Sequence, residues 1–227
     1  MNLNTFKPHL KQVLLLILTV WSLQGFGQKS FYKNDIHLKF DGGLILGINF
    51  TQVDGDSYYG YNKVGLNAGG IVLVHFTPSF GAGMELLYSQ KGSRSVGSNS
   101  SSTTGVFDEV YTMKLNYVEV PVLLHYTFHR VDFEAGISYA YLINSSESAE
   151  ISGQQVIIDP GKNKFNNTDL EYILGFNARA YKKLYIDCRF AYSITPIRST
   201  ERIPVGFSYG NIGQFNNLFV LRAMYVL

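Results

Sequence analysis

After Gln28 the chain alternates apolar and polar side chains at every second position, and no stretch holds apolar residues at helical spacing. From 133 to 143, Phe133, Ala135, Ile137, Tyr139, Tyr141 and Ile143 share one face, and Glu134, Gly136, Ser138 and Ala140 share the other. The same split separates Leu184, Ile186, Cys188, Phe190, Tyr192 and Ile194 from Tyr185, Asp187, Arg189, Ala191, Ser193 and Thr195. Eight such segments are predicted, at about 36–50, 64–76, 80–91, 113–128, 131–143, 170–181, 184–195 and 217–227. The protein is therefore expected to be all-β.

The connections alternate in length. Thr77-Pro78-Ser79, His129-Arg130 and Lys182-Lys183 mark short turns, whereas 51–63, 92–112, 144–169 and 196–216 are long. That rhythm predicts an eight-stranded antiparallel up-and-down transmembrane β-barrel, with termini and short turns periplasmic and long loops extracellular. Opposed residues of a hairpin share a face. Phe128 and Val131 satisfy this across a two-residue turn, as do Phe76 and Phe80 across three. Tyr181 and Leu184 do not, so a bulge or a third loop residue is required there. Pro121, lacking a ladder donor, is expected to mark a second bulge.

The first 27 residues read as a cleaved signal peptide: Lys7 and Lys11, an apolar run from Val13 to Trp21, then Gly25-Phe26-Gly27. About nine apolar residues are half of what a membrane helix needs. Residues 28–35 are expected to be a periplasmic linker and 36–227 the barrel domain. Without Lys7 and Lys11 the 19 basic and 17 acidic residues of the whole chain fall to parity, so nothing favours nucleic acid. A single cysteine excludes an internal disulfide and a multi-cysteine metal cluster.

Alternation alone does not say whether the apolar face meets lipid outside or a ligand inside, as in a secreted lipocalin-like barrel. The polar face is the informative one. It carries Gly43, Gly47, Gly69, Gly81, Gly83, Gly136 and Gly175 among long charged residues, which suits the narrow interior of eight strands. Phe76, Phe80 and Phe128 close the apolar face at the short turns, where an interfacial aromatic girdle belongs.

Two stretches carry a resemblance. Glu85-Leu86-Leu87-Tyr88-Ser89-Gln90-Lys91-Gly92 and Leu115-Asn116-Tyr117-Val118-Glu119-Val120-Pro121-Val122-Leu123-Leu124 resemble the third and fourth strands of the Bacteroidetes outer-membrane β-barrel proteins of the PorT family. The resemblance implies the fold and the outer membrane, and brings in an accessory role in type IX protein secretion as one alternative. The chain departs from the family in His125, where a basic residue is common, and in ending on Leu227 rather than an aromatic.

Lumen parity collects Asp41, Glu85, Glu119, Glu134, Glu171, Arg179, Asp187, Arg189 and Arg222 as a structural polar cluster, with Lys39, Lys91 and Asp132 alongside. Acids and bases in near balance point to cross-lumen ion pairs that plug the barrel, not to an open channel. His37, His75 and His125 share that parity but nothing in their spacing joins them into a metal site. An esterase would need a histidine beside a nucleophile at the outer rim, and no lumen-facing histidine lies there. Asp54-Gly55-Asp56 and Asp159-Pro160-Gly161-Lys162-Asn163 read as turns. No catalytic, cofactor or metal residue is expected. The function expected is that of a non-enzymatic scaffold or partner-docking barrel, with a narrow channel or a lipocalin-like binder as alternatives. Its expected partners are outer-membrane lipid and lipopolysaccharide, the barrel assembly machinery and secretion-complex proteins.

Overall fold

The computed structural model describes residues 38–101, 105–204 and 211–227. Residues 1–37, which hold the expected leader and linker and His37, lie outside them. The chain forms β1 (Lys39–Asp54), β2 (Lys63–His75), β3 (Phe80–Ser101), β4 (Gly105–Phe128), β5 (Val131–Ile151), β6 (Gln154–Val156), β7 (Thr168–Tyr181), β8 (Leu184–Ser193) and β9 (Phe215–Val226). Eight of these close into an antiparallel ring. β1 pairs with both β2 and β9, and β4 with β5, so no long edge remains. β6 stands outside the ring as a three-residue hairpin arm on the end of β5, turned by Ser152 and Gly153 at φ 51° and 76°.

The two faces are inverted relative to a water-soluble protein. Leu44, Leu46, Met84, Leu86, Leu124, Ile137 and Leu174 point outward and are more than half exposed, whereas Glu85, Lys91 and Arg222 are buried inside. An apolar belt around a charged interior is stable only with hydrocarbon outside. On β3, Phe80 and Tyr88 bracket the belt, and on β5 Phe133 and Tyr141 do so. Eight residues of strand run about 26 Å, or about 20 Å along the membrane normal at the usual tilt, so the two aromatics stand near the edges of an apolar band about 25 Å tall.

β3, β4 and β5 are longer than the alternation predicts, at 22, 24 and 21 residues where about 10 suffice to cross. Much of the expected loop 92–112 is thus a ladder that runs from Gly92↔Lys114 to Ser101↔Gly105. Beyond the lipid neither face needs to be apolar, so this extension carries no period-2 signal. Residues 102–104 of that connection lie outside the described residues.

The turns follow parity. His129, at φ 56°, and Arg130 join Phe128↔Val131 directly. At Lys182, φ 44°, the register shifts between Arg179 and Tyr181, which supplies the required bulge. Pro121 is different from expectation. It pairs in step with Ser138 on β5 and leaves the β3 ladder broken between Met84↔Val122 and Leu87↔Glu119 without a shift of register. The missing donor costs a gap and not an extra residue. The register shift along β4 lies instead between Asn116 and Tyr117, where Ile143 of β5 is the extra, unpaired residue.

Inward glycines mark where the small barrel curves most tightly. A Cβ on Gly69 would lie 2.0 Å from the Leu86 carbonyl oxygen, and one on Gly136 would lie 2.0 Å from that of Val122.

Candidate functional site

The lumen is filled in tiers. In the middle tier Arg189 on β8 spans three carboxylates. Its Nη1 and Nη2 donate to Glu85 at 3.0 and 2.9 Å, Nη2 also reaches Asp187 at 3.1 Å, and Nε lies 2.6 Å from Glu134. Arg222 on β9 mirrors it, donating through Nη1 and Nη2 to Glu85 at 2.9 Å each and through Nε to Asp187 at 2.9 Å. Glu85 thus accepts two guanidinium forks, the geometry that best repays burying a carboxylate. Gly175 leaves room for the tier, because a Cβ there would sit 2.7 Å from both Glu134 Oε1 and Arg189 Cβ.

The next tier toward the long loops is built on Lys91, which is 0% exposed. Its Nζ pairs with Glu119 and lies 2.6 Å from Glu171, and the Tyr117 ring is 5.0 Å away. Asp169 continues the tier, accepting from Ser193 Oγ at 2.9 Å and Asn216 Nδ2 at 2.8 Å.

Above it the long loops fold inward as a cap. Phe165, Ile197 and Ile203 pack with Val53, Tyr111, Met113 and Leu115 in one apolar cluster. Arg198, fully buried, ties the cap together. It donates to both Glu147 oxygens at 2.7 and 2.8 Å, to Gln214 Oε1 at 2.8 Å and to the Asn163 carbonyl at 3.1 Å, with the Phe165 ring 4.2 Å beneath. Tyr111 donates to the same Glu147. The Asn166 amide donates to the Ile197 carbonyl and so stitches the two loops, while the Gln214 amide donates to the Arg198 carbonyl within the second loop.

Asp56, 2% exposed in the β1–β2 loop, accepts from the Tyr58 amide at 2.9 Å, and the Tyr58 ring stacks on Tyr111 at 4.8 Å. Burial pushes the Asp56 carboxyl up to about 6. A raised carboxyl stabilises the fold below its unfolded value, and that contribution is lost as pH rises through about 6. Asp56→Asn keeps the acceptor and removes the charge. The variant is expected to be more stable than the parent above about pH 7, by roughly 2 kcal/mol, and equal to it near pH 4. Urea titrations of the folded gel band at both pH values test this, and equal stability at the higher pH would contradict it.

At the short-turn mouth the barrel opens into a cavity of about 670 Å³. Here His75 Nε2 meets Asp41 at 2.9 Å, and His125 Nδ1 meets Asp132 at 2.7 Å. The imidazoles are thus held by separate acids. Among the described residues no three His, Cys, Asp or Glu side chains are grouped to hold a metal.

Of the nine residues collected from lumen parity, Glu85, Glu134, Asp187, Arg189 and Arg222 meet in the middle tier, and Glu119 and Glu171 meet at Lys91. Asp41 and Arg179 join neither, because both lie at the open mouth. Arg179 donates instead to Tyr185 Oη at 3.1 and 2.8 Å. The cap set of Arg198, Glu147, Tyr111 and Gln214 was not expected, since the chain around Arg198 and Glu147 reads as loop. Its available signal was Phe165, Ile197 and Ile203, apolar residues in otherwise polar connections. Asp159 forms the expected turn, accepting from the Gly161 amide at 2.8 Å.

Known proteins resemble the chain at two levels. The outer membrane protein beta-barrel domain family matches residues 24–199. Among solved structures, Ail, the attachment invasion locus protein of Yersinia pestis, is 12% identical in its complex with the heparin analogue sucrose octasulfate. The match covers 83% of this chain and 99% of that one at a TM-score of 0.42. Neisserial surface protein A is 8% identical, with 83% and 97% covered and a TM-score of 0.43. The N-terminal β-barrel domain of Pseudomonas aeruginosa OprF is 10% identical, with 82% and 97% covered and a TM-score of 0.34. No curated protein matches the sequence.

Proposed function

Because the chain belongs to the outer membrane protein beta-barrel domain family, we propose that it is a non-enzymatic, solute-tight barrel whose folded cap docks a partner outside the cell. The observation that carries this reading is the filled lumen, where ion-pair tiers and an apolar cap occupy the space a solute would need. The tiers brace opposite strands and hold the cap rigid. Tyr59, Ile157 and Ile212 stand exposed on the long connections at 74%, 95% and 69%, as anchors for a partner. In this reading the long connections are extracellular and the short turns periplasmic, following the usual asymmetry of such barrels.

A planar bilayer tests the first half. Verified insertion with no discrete conductance is expected, and regular single-channel steps would overturn it. Photo-crosslinking from position 157 on intact cells tests the second half, with a specific adduct expected and none at the lipid-facing position 137.

The PorT-like alternative has a specific observation to weigh. The stretches that carry the resemblance supply Glu85, Lys91, Glu119 and Pro121, which are the lumen tiers and the interrupted ladder. Such residues specify how a barrel is filled, so the resemblance speaks for shared architecture before a shared role in secretion. Co-purification of secretion components after cross-linking would favour the accessory role over the docking barrel.

A further inference from the structure

The short-turn mouth holds more positive charge than its own acids absorb. Asp41 and Asp132 are already taken, Asp41 by His75 and Asp132 by His125, Thr127 and Asn177. Arg130, Arg179 and Lys182 line the same cavity without a carboxylate partner among the described residues. Arg179 uses Nε and Nη2 on Tyr185 and lies 5.4 Å from that ring, which fixes the guanidinium while Nη1 has no hydrogen-bond partner among the described residues.

The His125 ring forms part of the cavity wall. It is 6% exposed, its Nδ1 is engaged by Asp132, and its Nε2 is buried without a hydrogen-bond partner among the described residues. A Cβ on Gly83 would come within 2.8 Å of that nitrogen, so only glycine lets the ring pack there. Leu73, Pro78 and Met224 add apolar wall, and about 670 Å³ lies within the range of small-molecule sites.

We propose that this mouth is a binding pocket for a phosphate-bearing amphiphile. Arg179 and Lys182 grip the phosphate, Arg130 adds a third positive charge, and the apolar wall takes the adjoining chain. Lipid headgroups and soluble phosphate esters share this chemistry. The site is independent of docking at the cap.

The test uses the protein from Gln28 onward, folded in nanodiscs of zwitterionic lipid and titrated separately with inorganic phosphate and with hexyl phosphate. Nitrogen NMR of the Arg179 side chain and the His125 ring reports occupancy. Hexyl phosphate is expected to shift both groups saturably and to bind more tightly than inorganic phosphate. Arg179→Gln should weaken it about tenfold, the loss of one charge-assisted hydrogen bond. Lys182→Gln should weaken it less, and Lys162→Gln, on a distant loop, should leave it unchanged. Folding of each variant is confirmed by its shifted gel band. Repeating the titration in anionic nanodiscs separates the sources: competition identifies a lipid headgroup, and undiminished binding identifies a soluble ester. No saturable shift with either probe, or equal affinity in folded Arg179→Gln, would overturn the proposal.

Discussion

Lys91→Met is expected to destabilise the barrel by about 3 to 5 kcal/mol, the cost of leaving buried carboxylates without their cation. Lys91 is 0% exposed and the only cation in contact with Glu119 and Glu171 among the described residues, so neither acid has a substitute. The middle tier is more redundant, since Glu85 keeps Arg222 when Arg189 is lost. Methionine fills much of the lysine volume, which confines the loss to charge. Adding Glu119→Gln and Glu171→Gln to Lys91→Met should recover most of it, because removing a whole buried ionic group is often neutral. Trp21, the one tryptophan, falls within the expected leader. Urea titration of the unboiled gel band in lipid vesicles is therefore a better measure than fluorescence. A midpoint unchanged in Lys91→Met would mean that the tier contributes nothing to stability.

Face parity made the inner residues legible because the barrel wall separates lipid from lumen along every crossing strand. It did not make their grouping legible. Lys91 on β3 reaches Glu171 on β7 across the lumen, a contact fixed by register, shear and closure, none of which a single strand encodes. Asp41 and Arg179 have the right parity and still miss the tiers, since parity gives a side and not a height. The extended ladder of β3 and β4 was hidden for the opposite reason. Beyond the lipid the outer face no longer has to be apolar, so alternation lapses while the hydrogen-bond ladder continues. Pro121 shows the same limit on a smaller scale: its missing donor was legible, but the backbone tolerates it by a gap in the ladder with the register kept.

The cap is where sequence reading fell short, and Arg198→Met probes it most directly. Arg198 is buried, serves both oxygens of Glu147, and joins the loop at Asn163 to the loop at Gln214. Its loss leaves Glu147 facing only the Tyr111 hydroxyl in an apolar surround. The closed ring below does not depend on it, so the damage should be local opening and not global unfolding. At a cost of about 3 to 5 kcal/mol, trypsin cleavage at Lys162, Lys164 and Arg202 should accelerate by more than about a hundredfold. The heat-shifted gel band of the ring should persist at the same time. Adding Glu147→Leu should restore much of the protection, because the carboxylate and not the missing arginine is then what opens the cap. If cleavage in Arg198→Met stays at the parental rate, the loops are held by Phe165, Ile197 and Ile203 alone. The docking surface would then owe its shape to apolar packing, which a partner could remodel.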